Sequence, residues 1–393
     1  MPGAWAHENQ ASRSDPERFR AIRWTFDSSN QPTNQPTNQP TNQPNQQQPI
    51  TEGPRSTGLD LIRALAIILV LIAHGAVFTP GATSETTGWI SGIFGVEFFF
   101  SLSGFLIGSI LVRFEKSWSS NKSLLIFLSR RWMRTFPLYF LILGSLLLVQ
   151  KPNPADHVPV WKFLFFGQNL WTDYPPSNWF GPSWSLAIEE WSYLVFALLL
   201  FVLTAFRVRN KVLWSAVILV LYGFLIRLSI PITNFDNSIR RSVPARADAI
   251  AYGVILAVVF ARRGEILKIL SRRVLPLALV TVGLCGWVIA HPNMQTNLAV
   301  RALVFPMMAL ATCAAIPFFL DFRVPKLLAL PVHLIARDSY AIYLVHWPVL
   351  AFTMKFANSK FGWFIYLGLT ALASLILSAL VERPVMKLRP RQV

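Results

Sequence analysis

Hydrophobic residues along this chain are gathered in long runs that are separated by short polar segments. Ten runs approach the length of about 20 residues that an α-helix needs to cross a bilayer. They cover residues 59–79, 91–112, 135–150, 187–206, 212–231, 246–262, 274–291, 299–320, 337–356 and 362–381. The pattern predicts an all-α, polytopic membrane protein with about ten transmembrane helices.

The N-terminal segment has a different pattern. It is polar, and the tetrapeptide Asn-Gln-Pro-Thr repeats from Asn30 to Thr41. Because proline at every fourth position disfavours both helix and sheet, residues 1–57 are predicted to be a disordered tail rich in Asn, Gln, Pro and Thr. Residues 58–393 form the predicted membrane domain. The tail has no apolar core typical of a cleavable signal peptide, so the first hydrophobic run is expected to direct insertion.

Charge supports the membrane interpretation. Only 14% of the 393 residues are charged, against about 25% in soluble domains, and mean hydropathy is +0.44. The net charge of +17 is concentrated in the connections after the second, fourth, sixth and eighth runs, which contain Arg113, Arg130, Arg131, Arg134, Arg207, Arg209, Arg262, Arg263, Arg272, Arg273 and Arg323. This placement predicts that both termini are cytoplasmic, and it favours anionic lipid over nucleic acid as the partner. The two cysteines, Cys285 and Cys313, lie in apolar runs and cannot form a metal ligand set.

The first hydrophobic run contains two polar groups that are costly in lipid, Arg63 and His74. They are eleven residues apart, which returns to nearly the same helix face at a separation of about 16 Å. Ionisable side chains inside a membrane suggest a functional site. The alternative is that Arg63 extends to the lipid headgroups and that His74 bonds a neighbouring helix.

Further polar groups occur at the ends of the next two runs. Glu97 and the pair Ser103–Gly104 lie in the second, where small residues permit close helix packing and Glu97 could be an outer polar cap. Arg131 and Arg134 share a helix face before the third, and their guanidinium groups suit phosphate oxygens. An ordinary positive-inside anchor is the stronger interpretation of these arginines from the residues alone.

The remaining candidates lie later in the chain. Residues 151–185 form a long connection rich in aromatic residues, including Trp184, that could stack on sugars or lie at the membrane interface. Ser185 is a candidate N-cap one turn before Glu189, which could assist the cap or orient a catalytic imidazole. Asp248 and His346 are polar groups within apolar runs, and Asp248 is too close in sequence to Arg246 to face it on a helix.

Several segments, taken in order, resemble the acyltransferase-3 family of integral membrane acyltransferases. These are the Arg63–His74 spacing and the segments GVEFFFSLSGFLIG, FLSRRWMRTFPLY, PSWSLAIEEWSYL, RADAIAYG, SYAIYLVHWPVL and VERPVMKL. The resemblance covers about residues 56–389. One departure is the sequence SLAIEE after Trp184, where relatives more often have SLSVE, so one hydroxyl is lost.

The resemblance implies transfer of an acyl group, usually acetyl, from acyl-CoA to a hydroxyl of a carbohydrate or glycolipid acceptor. It implies catalytic roles for His74 as base and for Glu189, and donor-side roles for Arg63, Arg131 and Arg134. Substrate contacts are expected from Glu97, Ser103, Trp184, Asp248 and His346.

A stand-alone acyltransferase in a bacterial cytoplasmic (inner) membrane is expected, without an appended esterase domain. No metal and no permanently bound cofactor are expected, and acetyl-CoA is a substrate. The competing interpretation is a proton-coupled transporter or flippase of a glycan or lipid precursor, because buried Arg, Asp, Glu and His side chains suit that function too. The oligomeric state is open.

Overall fold

The computed structural model describes residues 56–79, 81–115, 121–149, 158–170, 179–231, 234–356 and 360–390, and the regular secondary structure in these ranges is helical, as predicted. The α-helices are α1 (Thr57–Gly75), α2 (Ala82–Phe114), α3 (Asn121–Val149), α4 (Val160–Leu164), α5 (Ser183–Ala205), α6 (Lys211–Ser229), α7 (Ala251–Ala290), α8 (Pro292–Gln295), α9 (Leu298–Leu320), α10 (Lys326–Arg337), α11 (Ser339–Thr353), α12 (Lys360–Leu377) and α13 (Arg383–Lys387). Short 3₁₀ or π-helical turns cover Ala76–Phe78, Asp236–Arg240, Pro244–Arg246, Met354–Phe356 and Ser378–Glu382. The predicted tail, residues 1–57, lies outside the described ranges except for its last two residues.

The structure supports a multi-pass membrane protein, but it does not confirm ten spans. In the described ranges, eight helices are long and apolar enough to cross a bilayer, and the bent pair α10–α11 could raise the number to nine. The remaining difference of one span between nine and ten lies in residues 244–290. The hydropathy pattern divides this segment at a basic stretch, whereas the structure has one helical stretch there. Arg263 interrupts α7 with non-helical φ and ψ angles of −140° and 34°, so two helices meet at this kink. The side of the membrane that holds the termini stays a prediction.

Helix α2 packs closely against α1 and α7. At the α2–α7 crossing the backbones touch, because a Cβ atom on Gly104 would lie 2.0 Å from the carbonyl oxygen of Ile250. A Cβ atom on Gly253 would lie 2.2 Å from the carbonyl oxygen of Ser101. The prediction that the Ser103–Gly104 pair permits close approach of another helix is confirmed.

The segment before α5 is fixed by buried polar side chains. Gln168 and Asn169 donate hydrogen bonds to the carbonyl oxygens of Ser183 and Trp184, at 2.9 and 3.0 Å. Trp184 is buried, as are four other aromatic residues of the same connection, Phe163, Phe166, Trp179 and Phe180, whereas Trp161 and Phe165 are exposed. The described part of this connection is therefore mostly packed core, and it positions the first turn of α5.

Candidate active site

A cavity of about 100 Å³ lies between α1, α2, α3, α5 and α11. We call it the arginine cavity because Arg63, Arg131 and Arg134 line it. Hydroxyl and carboxylate groups complete the polar lining and belong to Ser103, Thr135, Ser185, Glu189, Tyr193, Ser339, Tyr340 and Tyr343. Five of the predicted catalytic and ligand-binding residues thus meet in one place: Arg63, Ser103, Arg131, Arg134 and Glu189.

The charges of the arginine cavity are unequal. The Glu189 carboxylate accepts a hydrogen bond from Ser103 and interacts electrostatically with Arg131 and Arg134. Arg63 forms its own ion pair with Asp60, which lies outside the lining, at 3.3 Å between Nη1 and Oδ1. With Arg63 balanced by Asp60, Arg131 and Arg134 are the guanidinium groups of the lining that remain for a ligand. They suit a phosphate group because guanidinium forks match its oxygens.

A second, larger cavity of about 680 Å³ lies between α1, α2, α11 and the start of α5. We call it the histidine cavity because His74 lines it. Three tryptophans and two arginines contribute large side chains to the same lining: Trp89, Trp184, Trp347, Arg240 and Arg241. Of the residues singled out from the sequence, the structure places His74 and Trp184 here.

The protonation of His74 can be read from its hydrogen bond. Its Nδ1 atom lies 2.8 Å from the carbonyl oxygen of Val70, one turn earlier in α1. A carbonyl oxygen only accepts, so Nδ1 carries the proton and Nε2 carries the lone pair. A backbone carbonyl therefore orients the imidazole. Glu189, offered from the sequence as the orienting group, lies in the other cavity.

His74 has a histidine neighbour on another helix. The ring of His346 in α11 lies 4.9 Å from the His74 ring, centre to centre, and the Trp347 ring meets His74 edge-on at 5.3 Å. Nδ1 of His346 lies 3.2 Å from the carbonyl oxygen of Ile342, so it also carries the proton. His346 is fully buried and lines neither cavity. It packs against the candidate base, and its expected contact with substrate stays a prediction.

The two cavities share two lining residues. Val96 and Tyr343 line both of them. The Tyr343 hydroxyl lies 2.5 Å from the Ser185 hydroxyl and 3.3 Å from the carbonyl oxygen of Pro182. The N-cap expected at Ser185 is wrong, because α5 begins at Ser183 and Ser185 bonds Tyr343 from within the first turn. Sequence reasoning did not single out Tyr343, although it lies one helical turn before His346.

Glu97 and Asp248, expected to contact substrate, lie in buried ion pairs that line neither cavity. Arg246 Nη2 donates to both carboxylate oxygens of Glu97, at 2.7 and 2.8 Å. Arg227 donates two hydrogen bonds to Asp248, at 2.8 and 2.9 Å. The inference that Arg246 and Asp248 each pair elsewhere is confirmed, and both pairs fasten helices together.

We expect Glu97→Ala to destabilise the protein by about 3–5 kcal/mol, because it leaves the buried Arg246 charge without its partner. Replacing the whole pair, as in Glu97→Leu with Arg246→Leu, should recover most of this loss. The matched control is Glu265→Ala, since Glu265 is 86% exposed and its ion pair with Lys268 contributes little. Thermal unfolding in detergent measures the stability of the single variant, the double variant and the control. Unchanged unfolding together with lost activity in Glu97→Ala would instead indicate a contact with substrate.

Within the described ranges, no three His, Cys, Asp or Glu side chains are grouped as metal ligands are. Comparison with known proteins adds an independent line of observation. The family model described as "Acyltransferase domain" matches residues 56–383. No solved structure matches the chain.

Curated relatives carry acetyltransferase names. An O-acetyltransferase OatA of Staphylococcus aureus is 27% identical over 367 residues, which cover 84% of this chain and 57% of the relative. A peptidoglycan O-acetyltransferase OatA of Listeria monocytogenes is 26% identical over 324 residues, covering 75% of this chain and 49% of the relative. The chain thus spans about half the length of the curated relatives it matches. Since the family model covers nearly all of the membrane domain, the chain belongs to the acyltransferase-3 family.

Proposed function

We propose that this protein is an O-acetyltransferase of a bacterial cytoplasmic membrane, which moves an acetyl group from acetyl-CoA to a hydroxyl of a cell-envelope glycan or glycolipid. One observation carries the proposal: His74, whose Nε2 is the unprotonated nitrogen of the neutral imidazole, lines a large cavity that shares Val96 and Tyr343 with a cavity lined by arginines. The names of the relatives support the reaction type.

The arginine cavity is the proposed donor site. Arg131 and Arg134 would bind phosphate oxygens of CoA, and Glu189 would hold the two guanidinium groups in place between them. Arg63 and His74 are separated by about 16 Å along α1. The long pantetheine arm of CoA suits such a separation. It would allow the phosphates to bind in the arginine cavity while the thioester reaches His74 in the histidine cavity.

The chemistry requires a base for the acceptor hydroxyl. Nε2 of His74 would accept the hydroxyl proton while the acceptor oxygen attacks the thioester carbonyl carbon. The new C–O bond forms, the C–S bond breaks, and the proton held by His74 neutralises the departing CoA thiolate. His346 and the Val70 carbonyl keep the imidazole in this orientation.

The test uses the purified protein in lipid nanodiscs with radiolabelled acetyl-CoA and oligosaccharide acceptors. We expect one CoA released for each label found in the glycan. The competing function, a glycan or lipid transporter, has one observation in its favour, since two cavities that share lining residues also suit alternating access. Flux of glycan into liposomes without CoA release would support the transporter and contradict the acetyltransferase.

A further inference from the structure

The histidine cavity carries more positive charge than the proposed reaction uses. Among the described residues that line it, Arg240 and Arg241 are the formally charged ones, and none is a carboxylate. Both lie in the connection between α6 and α7, which follows the fifth hydrophobic run. In the predicted topology this connection is on the outer side, where basic residues are unusual. A pair of cations that neither topology nor the proton transfer explains suggests a ligand.

One carboxylate just outside the lining balances part of this charge. Asp236 Oδ2 forms an ion pair with Nε of Arg241 at 2.7 Å, and Oδ1 accepts a hydrogen bond from Nε of Arg240. Although burial opposes the effect, the two guanidinium groups hold the pKa of Asp236 below its ordinary value. Asp236 therefore stays ionised at neutral pH, and the described residues of this cluster contain two arginines and one carboxylate.

The two arginines are held in place. Arg240 lies over the Trp184 ring, 4.6 Å from its centre, and the carbonyl oxygen of Arg241 accepts a hydrogen bond of 2.5 Å from Asn169. Both side chains are largely buried. Arg240 and Arg241 are also close enough to act electrostatically on His74. A negatively charged group bound here would thus lie near the reacting hydroxyl.

The aromatic part of the lining suits a sugar. Trp89, Trp184 and Trp347 surround the same space, and tryptophan offers an apolar face with a polar edge. We propose, building on the proposed function, that the acceptor is an anionic glycan. Its carboxylate or phosphate binds Arg241 and Arg240, and its ring packs on tryptophan so that a neighbouring hydroxyl reaches His74.

The experiment compares three acceptors with the unmodified protein in nanodiscs: a neutral N-acetylhexosamine oligosaccharide, the same oligosaccharide with one carboxylate, and the same with one phosphate monoester. We expect kcat/KM to be at least about tenfold higher for one of the anionic acceptors, because a hydrogen bond to a charged group is stronger than one to a neutral group. The anionic acceptor with the higher kcat/KM shows whether the site binds a carboxylate or a phosphate. Equal kcat/KM for all three overturns the inference and leaves the acetyltransferase intact, whereas transfer to none overturns both.

A variant then assigns the effect to the arginines. Arg241→Gln should lower the preference for the anionic acceptor about tenfold, through KM. Arg323→Gln is the matched control, since Arg323 is exposed and lines neither cavity. An equal loss of kcat with neutral and anionic acceptors would show that Arg241 serves the reaction step, which contradicts acceptor recognition. If Arg241→Gln does not fold, the acceptor comparison still decides the inference.

Discussion

His74→Ala should lower acetyl transfer by about 10²–10⁴-fold, the range that a general base contributes. The loss should appear in kcat, with little change in the KM for acetyl-CoA, because His74 lies outside the arginine cavity and acts only as the acceptor hydroxyl loses its proton. Label transfer at saturating acetyl-CoA measures kcat, and acetyl-CoA binding in detergent shows that the donor site is intact.

Two further variants make this result specific. His74→Gln keeps a polar side chain of similar size but no basic nitrogen, so it should be as inactive as His74→Ala. His291→Ala is the control, because Nδ1 of His291 makes the same kind of contact, 2.7 Å from the carbonyl oxygen of Trp287, on an exposed helix end. Substantial transfer by His74→Gln would contradict the role of His74 as base. Nε2 of His346 would then be the alternative base, since the His346 ring packs against the His74 ring.

The sequence predicted most of α1 but only the second half of α3, because the predicted third run was 135–150 and the helix covers Asn121–Val149. The polar and basic residues of 121–134 lower the hydropathy of its first half. Spacing alone placed Arg63 and His74 on one face of a helix about 16 Å apart, and the structure puts them in two cavities that share lining residues. Arg131 and Arg134 share a cavity, as residues three apart on a helix can. Periodicity succeeds here because each pair lies within one continuous helix. Whether each residue acts as proposed is still a prediction.

Contacts between distant helices could not be predicted in this way. Periodicity identifies the face on which Glu97 lies, but the partner of that face, Arg246, is 149 residues away. The same holds for the hydrogen bond between Ser185 and Tyr343, which are 158 residues apart. Tyr343 lines both cavities. Hydropathy also cannot distinguish a loop from a kink, and at Arg263 two helices meet at a kink without an intervening loop.

Replacing both Arg131 and Arg134 with alanine should raise the KM for acetyl-CoA by about 10²-fold or more, since hydrogen bonds to charged groups contribute about 1.5–3 kcal/mol each. Steady-state transfer with varied acetyl-CoA measures the change. Acetyl-pantetheine, which lacks the nucleotide phosphates, is the informative second donor. The unmodified protein should prefer acetyl-CoA to acetyl-pantetheine by a similar factor, and the double variant should have lost most of that preference.

The second donor separates phosphate binding from damage to the fold. If the arginines bind phosphate, kcat/KM with acetyl-pantetheine should be similar in the double variant and the unmodified protein, because neither can use the missing contact. An equal loss with both donors would mean that the arginines serve to balance Glu189, whose carboxylate they approach. Arg130→Ala is the control from the same helix turn, since Arg130 donates to the carbonyl oxygen of Pro390 and does not line the cavity. If Arg130→Ala raised the KM for acetyl-CoA as much as the double variant does, a specific phosphate site would be contradicted. Arg131 and Arg134 would then be interpreted as a membrane anchor.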